Sequence, residues 1–208
     1  MTNINTGTWE SSNLQVFWGE VAPCDHIVQI YENDSLFLGA LEGFIGSGFL
    51  AGDAVIIIAT TEHLEEIQRR LIHQGFNVGL LAARNQYITI EAEEMLSRFM
   101  INNWPDETLF LEAVTSLLQR AQQNNRKVRA FGEMVALLWQ QGFNGATVQL
   151  ENLWNKLQKK NEFTLFCAYP RIGVTQDMHA SMEKICCEHN KIIDGSPRPS
   201  TEIYYKTA

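Results

Sequence analysis

Three short stretches carry side chains able to do chemistry. In VRAFGEMV (128–135), Glu133 follows an apolar run and Gly132. A carboxylate leaving the end of a buried strand can have its pKa raised by burial and bind a polar ligand or a histidine. It can equally be an acid favoured by the dipole of the following helix, MVALLWQQ. In FTLFCAY (163–169), Cys167 alone reads as a small buried hydrophobe, whereas Tyr169 at the strand's end is the better ligand contact. HIVQIYENDS (26–35) places Tyr31 and Glu32 at the end of another run. Tyr31, Glu32, Glu133, Cys167 and Tyr169 are therefore expected to contribute to a ligand site, the two tyrosines and Glu32 giving an aromatic and acidic pocket suited to a neutral or cationic organic ligand.

The elements that must position these groups alternate between strand and helix. HIVQIY (26–31), DAVIIIA (53–59), YITIE (87–91), VRAFGEM (128–134) and FTLFCAY (163–169) read as strands. Between them, Asn33-Asp34-Ser35 offers an N-cap for LFLGALEGFIGSGFLAG, and Thr60-Thr61 caps EHLEEIQRRLIHQ. Pro105 suits the first turn of DETLFLEAVTSLLQRAQQ, residues 149–160 form a further helix, and TQDMHASMEKICCEH (175–189) a last long one. Apolar strands without strict alternation, interleaved with helices, predict a three-layer α/β sandwich around a mostly parallel sheet. Ligands of such sheets bind beyond the carboxyl ends of the strands, where the polar residues above fall. His26, at a strand start, and His189, near a helix end, read as structural.

A nucleotide-hydrolysing enzyme needs a glycine-rich loop ending in Gly-Lys-Ser/Thr after the first strand, and YENDSLFLG has no lysine and two acids. GSG (46–48) falls inside a helix and is no nucleophile elbow. His179, Cys186, Cys187 and His189 lack zinc-site spacing, so neither metal nor cofactor is expected. The formal charge of −8 disfavours a nucleic-acid footprint. No apolar run approaches the roughly 20 residues of a membrane span, and the first residues lack the order of a secretion signal; a cytoplasmic protein with reduced thiols is expected. The surplus of apolar residues in NNWPDETLFLEAVTSLLQ predicts either a docking surface, for a protein partner or self-association, or a face covered by Phe17 and Trp18.

VRAFGEMVALLW, Leu150-Glu151, FTLFCAYP, EHNKIIDG and the spaced His26 and His189 resemble the MEDS domain, the DcmR-type sensory module of methanogens and methylotrophs. The opening, HIVQIYEND to GFLAGDAVIIIATTEH, is similar to a RecA/KaiC-type domain stripped of its phosphate loop. The polar, Gly/Ser/Asn-rich residues 1–24 read as an irregular arm and 196–208 as a tail; between them the resemblance implies a sensory domain over 25–195. It implies a non-catalytic module that senses a small molecule and acts through protein contacts on a histidine kinase or transcription regulator. The alternative is a degenerate P-loop-type nucleotide binder without hydrolysis.

Overall fold

Apolar runs too continuous for a half-exposed sheet become the centre of a covered one. A computed structural model describes residues 9–12, 18–19, 21–171, 185–186, 189–195 and 202–206. The strands are β1 (Trp9–Ser12), β2 (His26–Tyr31), β3 (Ala54–Ala59), β4 (Tyr87–Glu91), β5 (Met100–Ile101), β6 (Trp104–Pro105), β7 (Val128–Gly132), β8 (Thr164–Pro170), β9 (Lys191–Gly195) and β10 (Glu202–Lys206). The helices are α1 (Asp34–Ala51), α2 (Thr61–His73), α3 (Val78–Ala83), α4 (Ala92–Ser97), α5 (Glu107–Ala121), α6 (Met134–Gln140) and α7 (Asn144–Gln158).

The main sheet runs β1-β10-β9-β2-β8-β7-β3-β4, and its six strands from β9 to β4 are parallel. Every residue of β3, β7 and β8 is buried because helices cover both faces. Successive side chains alternate: Leu165, Cys167 and Tyr169 of β8 face a core shared with α4 to α7, and Phe166 and Ala168 face one shared with α1 and α2. This is the three-layer sandwich expected from the alternation of elements.

Local chemistry sets the ends. The Asn33 side chain accepts from the Leu36 N–H to start α1, Thr60 from His63 to start α2, and Asp106 from Leu109 to start α5. Gly52, at φ 82°, closes α1 in a left-handed conformation and returns its N–H to the last turn. Two glycines inside α1, Gly43 and Gly48, allow close packing. A Cβ on Gly48 would lie 2.9 Å from Cδ of Arg129, whose guanidinium passes there to bond Asp53 at 2.8 Å and Ser47 at 2.9 Å.

Several expectations are corrected. The stretch expected to be irregular supplies β1, and the expected tail supplies β10; the two pair with each other, Trp9 opposite Lys206. Trp18 does not cover α5. It is buried under α1 on the other face, edge-on to Phe44 at 5.4 Å. In α5 itself Phe110, Val114, Leu117 and Leu118 are core, leaving Leu109 and the nearby Trp104 as its exposed apolar side chains. Pro105 lies in β6, one residue before the cap, and α7 begins at Asn144 rather than 149. Most of the helix expected over 175–189 falls outside the described residues, as do Phe17, His179 and Cys187.

Candidate functional site

The five residues singled out in the sequence divide between two polar centres on opposite faces of the sheet. Tyr31 and Glu133 belong to the α1/α2 face, Cys167 and Tyr169 to the other, so the tyrosine pocket expected from Tyr31, Glu32 and Tyr169 is not formed. Opposite side-chain parity on neighbouring strands separates them: Ile30, not Tyr31, pairs with Tyr169. Glu32 is on the surface, 3.7 Å from Arg171.

The first centre is at the carboxyl ends of β3 and β7. Glu133 begins α6 without capping it; its Oε2 instead accepts from the Thr60 N–H at 3.0 Å, and its Oε1 lies 2.7 Å from His63 Nδ1. Phe37 meets the His63 ring edge-on and stacks on Tyr31. Burial pulls the His63 pKa down, but the hydrogen bond and charge of Glu133 outweigh it and hold it above the ordinary imidazole value. Burial, then Glu133 and Asp34, push Tyr31 up, so its hydroxyl stays protonated. Glu133 thus finds the histidine that its strand-end position permits, although nothing in TTEH advertised His63 as the partner.

The second centre is enclosed. In α7, Leu150, Leu153, Trp154 and Leu157 form the core stripe, and Glu151 occupies a core position within it at 1% exposure. Its Oε1 accepts from the Tyr169 hydroxyl, and its Oε2 from the Cys167 thiol at 3.8 Å. His26, at the start of β2, brings Nε2 to 3.4 Å from Glu151 Oε2 and 3.6 Å from Cys167 Sγ. His189 brings Nε2 to 3.8 Å from Glu151 Oε1, and the two imidazoles pack with centroids 3.9 Å apart.

Each ring is held from behind. His26 Nδ1 lies 2.8 Å from Asn155 Oδ1, and His189 Nδ1 lies 2.6 Å from the Ile185 carbonyl. A carbonyl acceptor at Nδ1 places the proton there in the neutral ring and turns a bare Nε2 lone pair inward. His189 Nε2 is buried without a hydrogen-bond partner. Burial, then the proximity of His26, push the His189 pKa down to about 3, so at neutral pH the ring is uncharged. Burial pushes Glu151 up, but its surroundings, the donating Tyr169 hydroxyl among them, hold it below the ordinary carboxylate value. Burial, then Glu151, push Cys167 and Tyr169 well up, so thiol and phenol keep their protons.

All four ligating atoms of His26, Glu151, Cys167 and His189 lie within 4.8 Å of one another. A cleft of about 660 Å³, lined by His26, Asn155, Gln158, Lys159, His189 and Asn190 among others, opens over the imidazoles. His26 and His189, read from the sequence as structural, supply two of the four donor atoms of this centre. Their signal lay in the family-like pieces, while the convergence of four residues spread over the chain is visible only in three dimensions.

A helix-covered parallel sheet enclosing a carboxylate, two imidazoles and a thiol defines the class: an α/β domain with a buried polar centre. The chain belongs to the MEDS family, the MEthanogen/methylotroph, DcmR Sensory domain, whose model matches residues 25–189. A solved structure from a structural study of Pyrococcus horikoshii OT3 shares the fold, with a TM-score of 0.55 and 12% identity over 89% of each chain. Comparison with curated proteins gives no match. Among the described residues, no helix is long and apolar enough to cross a membrane.

Proposed function

We propose that the chain is a non-catalytic sensory module that receives a small ligand at the Glu151 centre and passes the signal on through protein contacts. A histidine kinase or transcription regulator is the partner class. The observation that carries this reading is that Glu151 is a wholly buried carboxylate faced by a histidine nitrogen with no hydrogen-bond partner. Apolar residues of the same volume would stabilise such a core at least as well, so a polar cluster of this kind makes sense as a receiving site. Membership of a sensory family supports it.

The β2–α1 turn fits a RecA/KaiC-like frame emptied of its phosphate loop. Asn33 caps the helix where a phosphate would lie, with Glu32 before it and Asp34 in the first turn. Phosphate at that position would meet two carboxylates and no lysine.

The test is the melting temperature of the full chain against a panel of small neutral and cationic organic compounds and divalent metal ions, with Glu151→Gln alongside. A member that raises the Tm of the parent but not of the variant, without being consumed, is the expected result. A parent that melts identically with every member, or one that turns a compound over, would overturn the reading.

A further inference from the structure

The spacing of the donors in the buried centre is that of a coordination polyhedron. Tetrahedral bonds of about 2.0–2.3 Å, as zinc makes to nitrogen, oxygen and sulfur, put neighbouring ligand atoms about 3.3–3.6 Å apart. His26 Nε2 lies 3.4 Å and Cys167 Sγ 3.8 Å from Glu151 Oε2, the two are 3.6 Å apart, His189 Nε2 lies 3.8 Å from the other carboxylate oxygen, Oε1, and all four donors fall within 4.8 Å of one another. In metal sites the nitrogen of a ligating histidine that does not touch the metal is characteristically hydrogen-bonded to a carbonyl or carboxylate, which fixes the ring and its tautomer. Asn155 and the Ile185 carbonyl provide that support here, and the Nε2 of His189, buried, without a hydrogen-bond partner and facing Glu151, is an independent observation that points to a ligand.

We propose that His26, Glu151, Cys167 and His189 form a binding site for a zinc-type divalent cation, and that this cation is the ligand of the sensory centre. The donor set, two imidazoles, one thiolate and one carboxylate, is one for a borderline-soft ion; magnesium and calcium demand six or more oxygens. On binding, the Cys167 thiol gives its proton to solvent as the sulfur–metal bond forms, and thiolate plus carboxylate cancel the two positive charges. An enclosed site with no net charge is the arrangement a low-dielectric core tolerates. The cleft over the imidazoles is the entry path. The inference rests on the Glu151 centre being the receiving site.

The experiment uses the full chain stripped with chelator and titrated with Co²⁺ as a spectroscopic stand-in, followed by displacement with Zn²⁺. One Co²⁺ per chain is expected, with intense visible bands of a tetrahedral ion and a near-ultraviolet thiolate-to-metal band, both lost on adding Zn²⁺. Cys167→Ser should lose the thiolate band and keep weaker visible ones; His189→Gln should bind at least tenfold more weakly. Glu133→Gln, at the other centre, should titrate as the parent does. Far-UV circular dichroism of the stripped variants separates lost ligands from lost fold, and the parent spectrum stands whatever the variants do. A parent that retains no Co²⁺, shows only the weak bands of a six-coordinate ion, or keeps its spectrum in a folded Cys167→Ser would overturn the site. If no cobalt binds but an organic compound raises the Tm of the parent and not of Glu151→Gln, the metal inference falls and the sensory reading stands. If the metal binds but stripped and zinc-loaded chains show the same amide exchange over 185–195, the cation is not the signal.

Discussion

Each face of the sheet joins a buried glutamate to a histidine, and the surroundings make the two pairs different objects. Glu133 has both oxygens engaged, one by the Thr60 N–H and one by a His63 ring that is 17% exposed. The pair ties the end of β7 to the start of α2, and the charge of Glu133 prevails over partial burial in setting the His63 pKa. Around Glu151 the balance at histidine is reversed: burial dominates, His189 is neutral, and one of its nitrogens has no hydrogen-bond partner. The same two residue types make a closed clasp at the rim and, in the core, a centre in which one buried nitrogen has no hydrogen-bond partner. What decides is whether every polar atom is satisfied without a ligand.

That contrast can be broken by replacing the carboxylates. Glu151→Ala removes the acceptor of buried donors on several elements and should cost about 3–5 kcal/mol by urea titration. A loss below 1 kcal/mol would mean that the core relaxes around an empty centre. Tyr169→Phe removes a hydrogen bond to a buried carboxylate and should cost about 1.5–3 kcal/mol by the same measurement. Glu133→Gln keeps one acceptor for Thr60 and should cost about 1 kcal/mol, leaving the far-UV spectrum unchanged. A loss as large as that of Glu151→Ala would erase the distinction between the faces.

The smallest effect is one of pH. The folded pKa of His63 is raised, so the clasp contributes fully below the unfolded value of about 6.5 and is lost as pH rises through the folded one. The Tm difference between the parent and His63→Asn should therefore be widest under mildly acidic conditions and narrow toward alkaline pH. A difference that grows with pH would place the stabilising proton elsewhere.

The sheet was legible because burial on both faces leaves a direct trace: HIVQIY is a strand over its expected bounds, and DAVIIIA over all but its first residue. Cys167 and Tyr169, two apart on one strand, share a face, a pairing that the sequence reading, which set the buried thiol against the tyrosine, did not draw. Glu151 carried a signal in its position inside an apolar helical stripe, which a reading centred on strand ends passed over. The expectation that ligands sit at carboxyl ends pointed to Glu133 and away from His26, whose ring enters the core from the amino end of β2. His63 had no local signature, because its role is set by where β7 delivers Glu133.

The antiparallel ladder between β1 and β10 joins residues separated by nearly the whole chain. Closing so long a loop carries an entropic cost that only a finished sheet can offset, which places this ladder among the last to assemble. Its few hydrogen bonds at the sheet's edge then open far more readily than the buried central strands. Amide exchange should accordingly run in two regimes, with 9–12 and 202–206 exchanging through local unzipping and β3 and β8 only through global unfolding.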